Sequence, residues 1–336
     1  MLEIPLISIL TPFKNTDEFL TECLASIQAQ TYENWELIVV DDHSTDESMH
    51  IVEDFAARDA RIKVFQNTGD GIIEGLRLAF SKSKGKYVTR MDSDDIMKPE
   101  KLATLSKQLE TFGKGHVAVG LVQYFSEKGI SNGYKRYEDW LNKLTLKGEN
   151  YSEIYKECVI PSPCFMVHRD DLIAVGDFQP NDYPEDYDLT FRFYKHGLKC
   201  LPCDKLLHLW RDYQHRTSRT HIHYAQNYFL HIKVKYFLEI DYDVSRPLVI
   251  WGAGSKGKTV AKMLVEKNIH FHWICDNPKK IGRDIYEQTL YEFKFLETLD
   301  KPQSIITVAN EHAQTEIRSY MTQNSAKPMI DYFFFC

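Results

Sequence analysis

The sequence lacks the features that mark a membrane-spanning or secreted protein. No apolar run approaches the roughly 18 residues that a membrane span needs. Residues 1–5 lack the basic region and apolar stretch of a signal peptide. The 7 cysteines have no repeated spacing, and the lone CxxC pair, Cys200 and Cys203, lacks the second pair of a zinc site. We therefore expect reduced thiols in a cytoplasmic protein.

The sequence also lacks a strong excess of charge of either sign. Its 41 Lys and Arg residues and 48 Asp and Glu residues give a formal net charge of −7. This mildly acidic balance does not suggest a nucleic-acid partner. With 336 residues, 43% of them apolar, the chain is long enough for two globular domains.

Apolar runs alternate with segments of helical period in the N-terminal third of the chain. Runs at residues 6–10, 35–40, 62–65 and 87–89 predict buried strands, and the segments between them predict helices. This order predicts an α/β layer with a mostly parallel sheet and helices on both faces. Such sheets bind ligands beyond the carboxyl ends of their strands. The polar residues expected there are Thr11, Asp41, Asp42, Asp70, Asp92 and Asp94.

Three carboxylates, Asp92, Asp94 and Asp95, follow the fourth strand within four positions. Like charges at a strand end repel one another and are costly to desolvate, so we expect a positive partner. Mg²⁺ or Mn²⁺, which prefer oxygen ligands, are the candidates, with Asp92 and Asp94 as ligands. Asp95 is expected to cap the turn before Pro99. The alternative is a solvated acidic turn without a metal.

Residues 7–99 resemble the nucleotide-binding half of family 2 glycosyltransferases, which have the GT-A fold. The matching segments are residues 8–13, 26–32, 36–46 and 90–96. The resemblance implies a nucleotide-sugar donor whose base and ribose are held by Thr11, Pro12 and Asp42. It implies that the Asp-x-Asp motif, Asp92 and Asp94, holds the ribose and the metal at the diphosphate. Asp41, Asp70 and Ser93 complete the predicted donor contacts. The chain departs from the family at Gly75-Leu76-Arg77, where members often have Ala-Arg-Asn.

A second acidic pair, Glu185 and Asp186, opens a predicted helix. Sugar transfer by direct displacement inverts the anomeric centre and needs a base opposite the leaving group. The resemblance implies that Asp186 is this base and that Glu185 is an orienting or acceptor-binding neighbour. A charge favoured by the helix dipole is the alternative. Asp188 is predicted to be a helix-surface charge.

Basic residues follow the second acidic pair. Arg211 and Arg216 are expected to neutralise the departing diphosphate, in a loop that the resemblance implies closes over the donor. A solvated basic surface is the alternative. The Gln-x-x-Arg-Trp signature of processive synthases is absent. We therefore expect transfer of one sugar per encounter.

Residues 246–336 are predicted to form a small Rossmann-like domain. Gly252, Gly254 and Gly257 satisfy G-x-G-x-x-G after a strand, and Asp276 ends the next strand about twenty residues on. A second nucleotide site and a glycine turn that serves packing alone both stay open. The same stretch satisfies a P-loop pattern, but too few residues follow for an ATPase.

Two aromatic segments suggest further contacts. Residues 224–240 predict a helix between the domains, and its basic, aromatic character leaves contact with the inner face of the plasma membrane open. Residues 332–335 are apolar and are expected to pack on a neighbouring domain or on a second copy of the chain.

The sequence therefore predicts a GT-A domain at 1–220, a helical linker at 221–245 and a Rossmann-like domain at 246–336. The predicted function is inverting, metal-dependent, non-processive glycosyl transfer from a UDP-sugar to a hydroxyl acceptor. The resemblance implies a carbohydrate or lipid-linked acceptor, in surface polysaccharide or lipid-linked oligosaccharide synthesis. Two alternatives are a nicotinamide-dependent sugar-nucleotide oxidoreductase and a non-catalytic nucleotide-sugar-binding scaffold.

Overall fold

Strands and helices alternate through the N-terminal part of the chain, as the apolar periodicity predicts. The computed structural model describes residues 4–214, 216 and 229–336. These fall into two units, the first within Met1–Tyr151 and Val159–Arg219, the second within Ser152–Cys158 and Thr220–Cys336. The domain limits at 220 and 246 stay a prediction, which did not include Ser152–Cys158 in the second domain.

The first unit contains ten named strands and seven named helices among its described residues. The strands are β1 (Ile7–Phe13), β2 (Trp35–Asp41), β3 (Ile62–Gln66), β4 (Tyr87–Arg90), β5 (Ile96–Met97), β6 (His116–Val119), β7 (Leu121–Phe125), β8 (Phe165–His168), β9 (Lys199–Leu201) and β10 (Leu206–Arg211). The helices are α1 (Asp17–Gln28), α2 (Ser48–Arg58), α3 (Gly71–Lys82), α4 (Lys101–Phe112), α5 (Asn132–Lys147), α6 (Arg169–Ala174) and α7 (Glu185–Lys195).

A seven-stranded sheet with the order β3-β2-β1-β4-β8-β6-β9 organises the first unit. Its strands are parallel except that β8 runs antiparallel to both β4 and β6. The predicted α/β class with a mostly parallel sheet is therefore confirmed. Because β1 to β4 share one direction, their carboxyl ends meet at one edge.

Both faces of this sheet are buried, which explains the continuous apolar runs of its strands. Ile9 and Val39 face the core that α1, α2 and α4 cover, whereas Leu10 and Val40 face the core that α3 and α7 cover. Each helix contributes its apolar stripe to one of these two cores.

The predicted end of the first strand was wrong. β1 continues to Phe13 rather than ending at Leu10, because its pairing with β4 stops at Leu10 and frees that side of Pro12. The apolar residues between 116 and 125 form two strands, β6 in the large sheet and β7 in a second sheet of order β5-β10-β7. They separate at Gly120, where a Cβ atom would lie 2.7 Å from Leu207.

Asp188 was also predicted wrongly as a surface charge. Its side chain is buried on α7 and lies 2.7 Å from Arg192 Nε, one turn later. Arg192 Nη1 in turn donates to the carbonyl of Val175 at 2.7 Å. The pair is internal because α7 is covered on both sides.

The second unit contains a six-stranded sheet in the order β13-β14-β12-β11-β15-β16, parallel except for the β13–β14 pair. The strands are β11 (Leu248–Trp251), β12 (His272–Cys275), β13 (Asp284–Ile285), β14 (Gln288–Glu292), β15 (Gln303–Ile306) and β16 (Tyr332–Phe334). Its named helices are α8 (Phe229–Tyr236), α9 (Ser255–Glu266) and α10 (Glu311–Gln323).

The aromatic segment at 332–335 is not an outer patch. Tyr332–Phe334 forms β16 beside β15, and the Phe335 ring stacks on Tyr155 with a centroid distance of 5.2 Å. Both residues of that stack belong to the second unit. Tyr155 lies within residues 1–220, the predicted GT-A domain, so the expectation that this segment packs on a neighbouring domain or on a second copy of the chain stays a prediction.

The described part of the predicted linker helix begins at Phe229, and residues 224–228 lie outside the described residues. Leu230, Ile232 and Val234 of α8 are buried. None of the helices in the described part of the chain is long and apolar enough to span a membrane.

The glycine turn before α9 contains two kinds of glycine. A Cβ atom on Gly257 would lie 2.0 Å from the carbonyl oxygen of Gly252, whereas one on Gly254 would meet nothing within 4 Å. Gly257 therefore allows α9 to approach β11, and Gly254 borders open space.

Gly257→Ala is expected to lower the stability of the second unit by at least the roughly 1–3 kcal/mol typical of overpacking, because main-chain atoms must move. Gly254→Ala is the matched control and should leave stability near that of the wild type. Thermal unfolding of the full chain measures both, and equal Tm values for the two variants would refute the packing role.

Candidate active site

The edge formed by β1, β2 and β3 is built around Asp42. Its Oδ1 accepts hydrogen bonds from Asn67 Nδ2 at 2.7 Å and from the Gly71 amide at 2.9 Å. Its Oδ2 lies 3.4 Å from Lys14 Nζ. Asn67 follows β3 and Gly71 begins α3, so this carboxylate is fixed between consecutive elements. The structure therefore fixes an acidic side chain at the edge where a ligand was predicted.

The other residues predicted at this edge differ in accessibility. Thr11 is fully buried, and its Oγ1 has no hydrogen-bond partner among the described residues. Asp41 is buried and accepts a hydrogen bond from the Ser44 amide at 3.1 Å. Asp70 instead exposes 94% of its side chain. These residues lie near the same edge of the sheet, but they do not form one accessible surface because two of them are buried.

The departure from the family pattern at residues 75–77 has a packing reason. A Cβ atom on Gly75 would lie 3.0 Å from Pro12 Cβ, so glycine brings α3 close to the end of β1. Leu76 is buried in the core beneath. Arg77 turns the other way and bonds to the segment before α7, as described below.

Asp95 anchors the acidic loop, which comprises residues 92–95, and its side chain does not cap a turn. It is fully buried, with Oδ2 2.9 Å from His208 Nε2 and Oδ1 accepting from the Arg211 amide at 2.7 Å. Burial raises the pKa of Asp95, and the neighbouring Asp94 raises it further. Burial lowers the pKa of His208. The loop is thus held to β10 by a buried, hydrogen-bonded acid–imidazole pair.

Asp92 and Asp94 belong to the same loop as Asp95 and precede it in the chain. Asp94 Oδ2 accepts a hydrogen bond from the Tyr213 hydroxyl at 2.9 Å. Burial raises the pKa of Asp92, Arg90 opposes this rise, and Asp94 adds to it. Ser93 between them is buried. Two carboxylates are therefore held close together where neither is fully solvated.

Arg211 is bound to the acidic loop through its side chain. Its Nε donates to the carbonyl of Asp94 at 2.7 Å, and its Nη2 lies 2.5 Å from Glu22 Oε2. The guanidinium group also lies over the Phe19 and Phe125 rings, at 4.7 and 4.5 Å from their centroids. These contacts fix the guanidinium group on the acidic loop, and the predicted donor contact of Arg211 stays a prediction.

Arg216 lies over the Trp210 ring, 5.6 Å from its centroid. Burial opposes its charge, but Asp95 and Asp94 raise the pKa of the guanidinium group. Its charge is therefore close to the acidic loop, as a leaving-group contact requires. Residues 215 and 217–219 of the same predicted segment lie outside the described residues.

The second acidic pair begins α7, as predicted. Glu185 Oε1 lies 3.2 Å from Arg90 Nη2, and its buried Oε2 has no hydrogen-bond partner among the described residues. Asp186 Oδ1 accepts from the Tyr187 amide at 2.8 Å. Burial, followed by the charge of Glu185, raises the pKa of Asp186 to about 7, and Arg90 opposes this. A carboxylate with that pKa can accept a proton at neutral pH.

Arg90 is the functional candidate that the sequence did not reveal. It is 2% exposed, and its Nη2 lies 3.7 Å from Asp92 Oδ1 as well as 3.2 Å from Glu185 Oε1. One guanidinium group therefore connects the acidic loop to the start of α7. The available signal was its position at the end of β4, immediately before the acidic loop.

A third group could also bind a cation. Ligand atoms of Asp42, His43 and Asp70 lie within 4.8 Å of one another. His43 Nε2 is 2.8 Å from the carbonyl of Gly69, and Asp42 already accepts two hydrogen bonds. These contacts compete with metal coordination, as the Tyr213 hydroxyl does at Asp94 and Arg90 does at Asp92. The choice of Asp92 and Asp94 as metal ligands stays a prediction.

The second unit has a cleft of about 670 Å³ where α9 begins. Its lining includes Gly254 and three lysines, Lys258, Lys262 and Lys280. Lys280 Nζ donates to the carbonyl of Ala253 at 2.6 Å. Glu266 also lines the cleft and lies 3.8 Å from Lys262 Nζ. Basic side chains therefore remain in excess in the cleft, which reaches the glycine turn.

Of the other residues predicted for a second nucleotide site, Gly252 and Gly257 pack against each other. Asp276 is exposed, and its Oδ2 lies 3.3 Å from Trp251 Nε1. These two glycines thus serve the fold.

A sequence model described as Glycosyl transferase family 2 matches residues 8–176. Glycosyltransferase GlyG of Streptococcus pneumoniae serotype 4 is 42% identical over 221 residues, which cover 64% of this chain and 73% of that protein. An uncharacterized glycosyltransferase of Haemophilus influenzae is 29% identical over 208 residues, covering 59% of this chain and 62% of that protein.

Solved structures resemble the fold at low sequence identity. S. aureus TarS 1–349 in complex with UDP-GlcNAc has a TM-score of 0.56 at 19% identity, covering 78% of this chain and 72% of that one. The mannosyltransferase PcManGT from Pyrobaculum calidifontis, in complex with GDP-Man and Mn²⁺, has a TM-score of 0.52 at 18% identity, covering 71% and 64%. These similarities agree with the GT-A architecture of the first unit.

Proposed function

The chain belongs to glycosyl transferase family 2, and on that premise we propose an inverting, metal-dependent transfer from a UDP-sugar to a hydroxyl acceptor at the edge described above. The observation that carries the proposal is the position of Arg90, between Asp92 of the acidic loop and Glu185 of α7. This contact holds a donor-side carboxylate close to the start of the helix that carries Asp186. Family membership makes glycosyl transfer the activity of the first unit, in place of the scaffold and oxidoreductase alternatives.

On the donor side, Asp42 and Pro12 contact the nucleoside, and Asp92 contacts the ribose. The support is the rigid placement of Asp42 by Asn67 and the Gly71 amide. The S. aureus protein was solved with UDP-GlcNAc, which is consistent with a UDP-sugar here. Arg216 lies close enough to the acidic loop to contact the diphosphate.

Asp94 and Asp92 would hold Mg²⁺ or Mn²⁺. The residues fit such an ion because two carboxylates lie close together with limited solvation, and burial raises the pKa of Asp92. When bound, the ion would act as a Lewis acid at the diphosphate.

Asp186 accepts the proton of the acceptor hydroxyl. Its pKa of about 7 suits a general base, and Glu185 orients it through the contact with Arg90. We propose a carbohydrate or lipid-linked acceptor and one sugar per encounter, in surface polysaccharide or lipid-linked oligosaccharide synthesis.

Asp94→Asn is expected to abolish transfer and to weaken Mn²⁺ binding in the presence of UDP at least roughly tenfold, because a charged ligand is lost. Calorimetry measures the binding, and UDP release measures the transfer. His43→Ala is the control and should retain the ion. Loss of the ion in His43→Ala but not in Asp94→Asn would move the site to the group around Asp42.

Asp186→Asn is expected to lower kcat by about 10²–10⁴-fold or more, with unchanged UDP affinity, because only the base is removed. In the wild type, kcat should rise with pH through about 7, since the carboxyl of Asp186 must lose its proton before it can accept one. Asp170→Asn, an exposed change on α6, is the control. Normal turnover of Asp186→Asn would reject the base assignment.

We also propose that the cleft of the second unit binds a nucleotide, because three lysines line it beside the open space at Gly254. Calorimetry of the full chain with UDP should then give two sites, and Lys258→Glu should reduce them to one without slowing transfer. One site in the wild type would mean that the glycine turn serves packing alone. An absorbance change with NAD(P) and sugar nucleotides would identify a nicotinamide ligand instead.

A further inference from the structure

Arg77 connects α3 to the segment that leads into α7. Its Nε donates to the carbonyl of Phe178 at 2.8 Å. Its Nη2 donates to Asn181 Oδ1 at 2.5 Å and to the carbonyl of Gln179. The partners are more than 100 residues away in sequence but only a few residues before Glu185. The planar donor fork of arginine suits such a set of acceptors.

The Arg77 contact does not stand alone. One turn later on α3, the ring of Phe80 meets Phe178 edge-on, with a centroid distance of 5.9 Å. Near the start of α3, the Tyr183 hydroxyl lies 3.4 Å from the position that a Cβ atom on Gly71 would occupy. The segment 178–183 therefore packs along α3 at three separate positions.

The same helix is fixed to the donor side. Its first amide, that of Gly71, donates to Asp42 Oδ1 at 2.9 Å, and Asn67 Nδ2 donates to the carbonyl of Gly71 at 3.3 Å. A helix is stiff over this length, so the second turn of α3 keeps a fixed distance from Asp42. Any group that Arg77 holds is thereby placed relative to the donor carboxylate.

We propose that Arg77 is a positioning residue for transfer, which holds the segment 178–181 on α3 and so sets the distance between Asp186 and the donor bound at Asp42. The inference rests on the proposed role of Asp186. Arg77 touches neither reactant, and it acts through the path from 178 to 186. Displacements of about 1 Å in a reacting geometry can cost about 10²-fold in rate.

Arg77→Met is expected to lower kcat by about 10–100-fold while the Kd for UDP changes less than about twofold. Arg77→Lys should recover part of the rate, because one ammonium group reaches fewer of the acceptors. The kinetic pKa should also fall, since water reaches Asp186 more easily when the segment loosens. Arg58→Met on α2 is the matched control, because Arg58 bonds only within its own helix in the described part of the chain.

Asp186→Asn measured in parallel separates the two proposals. If Asp186→Asn is inactive and folded Arg77→Met turns over normally, the positioning role is refuted and the base assignment stands. If Asp186→Asn retains normal turnover, the base assignment fails. The double variant should be no slower than Asp186→Asn, because the two changes act on one step.

If Arg77→Met does not fold, Asn181→Ala is the variant that tests the proposal. It removes one acceptor from the segment side, and its kcat should fall severalfold with unchanged UDP affinity. A kcat equal to that of the wild type in Asn181→Ala, when Arg77→Met is unfolded, would overturn the inference.

Discussion

The arrangement of the first unit depends on keeping several carboxylates together at the end of a buried sheet. Asp92, Asp94 and Asp95 follow one strand, and Glu185 and Asp186 begin a helix beside it. If all were charged without a partner, their repulsion would open the edge. Arg90, buried between Asp92 and Glu185, supplies the countercharge at their centre. Burial raises the pKa of both Asp95 and Asp186, so fewer charges oppose one another at neutral pH.

The carboxylates therefore have separate roles, although their sequence looks uniform. Asp95 is an anchor, because its oxygens are committed to His208 and to the main chain of β10. Asp94 accepts the hydrogen bond from the Tyr213 hydroxyl through one oxygen, Oδ2, and its side chain is more accessible than that of Asp95. Arg211 stiffens the loop through the Asp94 carbonyl.

The sequence predicted the alternation of elements and the acidic strand ends, because burial on two faces and strand direction are local properties. It could not predict the contact of Arg90 with Glu185 or of Asp95 with His208, since those partners are far apart in the chain. The prediction that Asp188 is a surface charge was also wrong. A helix that is covered on both sides can bury a charged side chain when a partner such as Arg192 is present, and sequence periodicity does not reveal such a partner. The limits of β1 depended on where β4 stops pairing, which is again a property of the sheet.

Two different tethers hold the start of α7, and they respond differently to charge. The contact of Arg90 with Glu185 is electrostatic and shares its guanidinium group with Asp92, so it changes whenever the charge near Asp92 changes. The contacts of Arg77 with the segment 178–181 end on two carbonyls and an amide oxygen, which are uncharged, while its Nη1 pairs with Glu74 one turn earlier on α3. The second tether can therefore keep Asp186 in place while the first is altered by donor binding. Uncharged acceptors on the segment before α7 therefore suit the proposed role of Asp186 as a base, which requires its position to persist when nearby charges change.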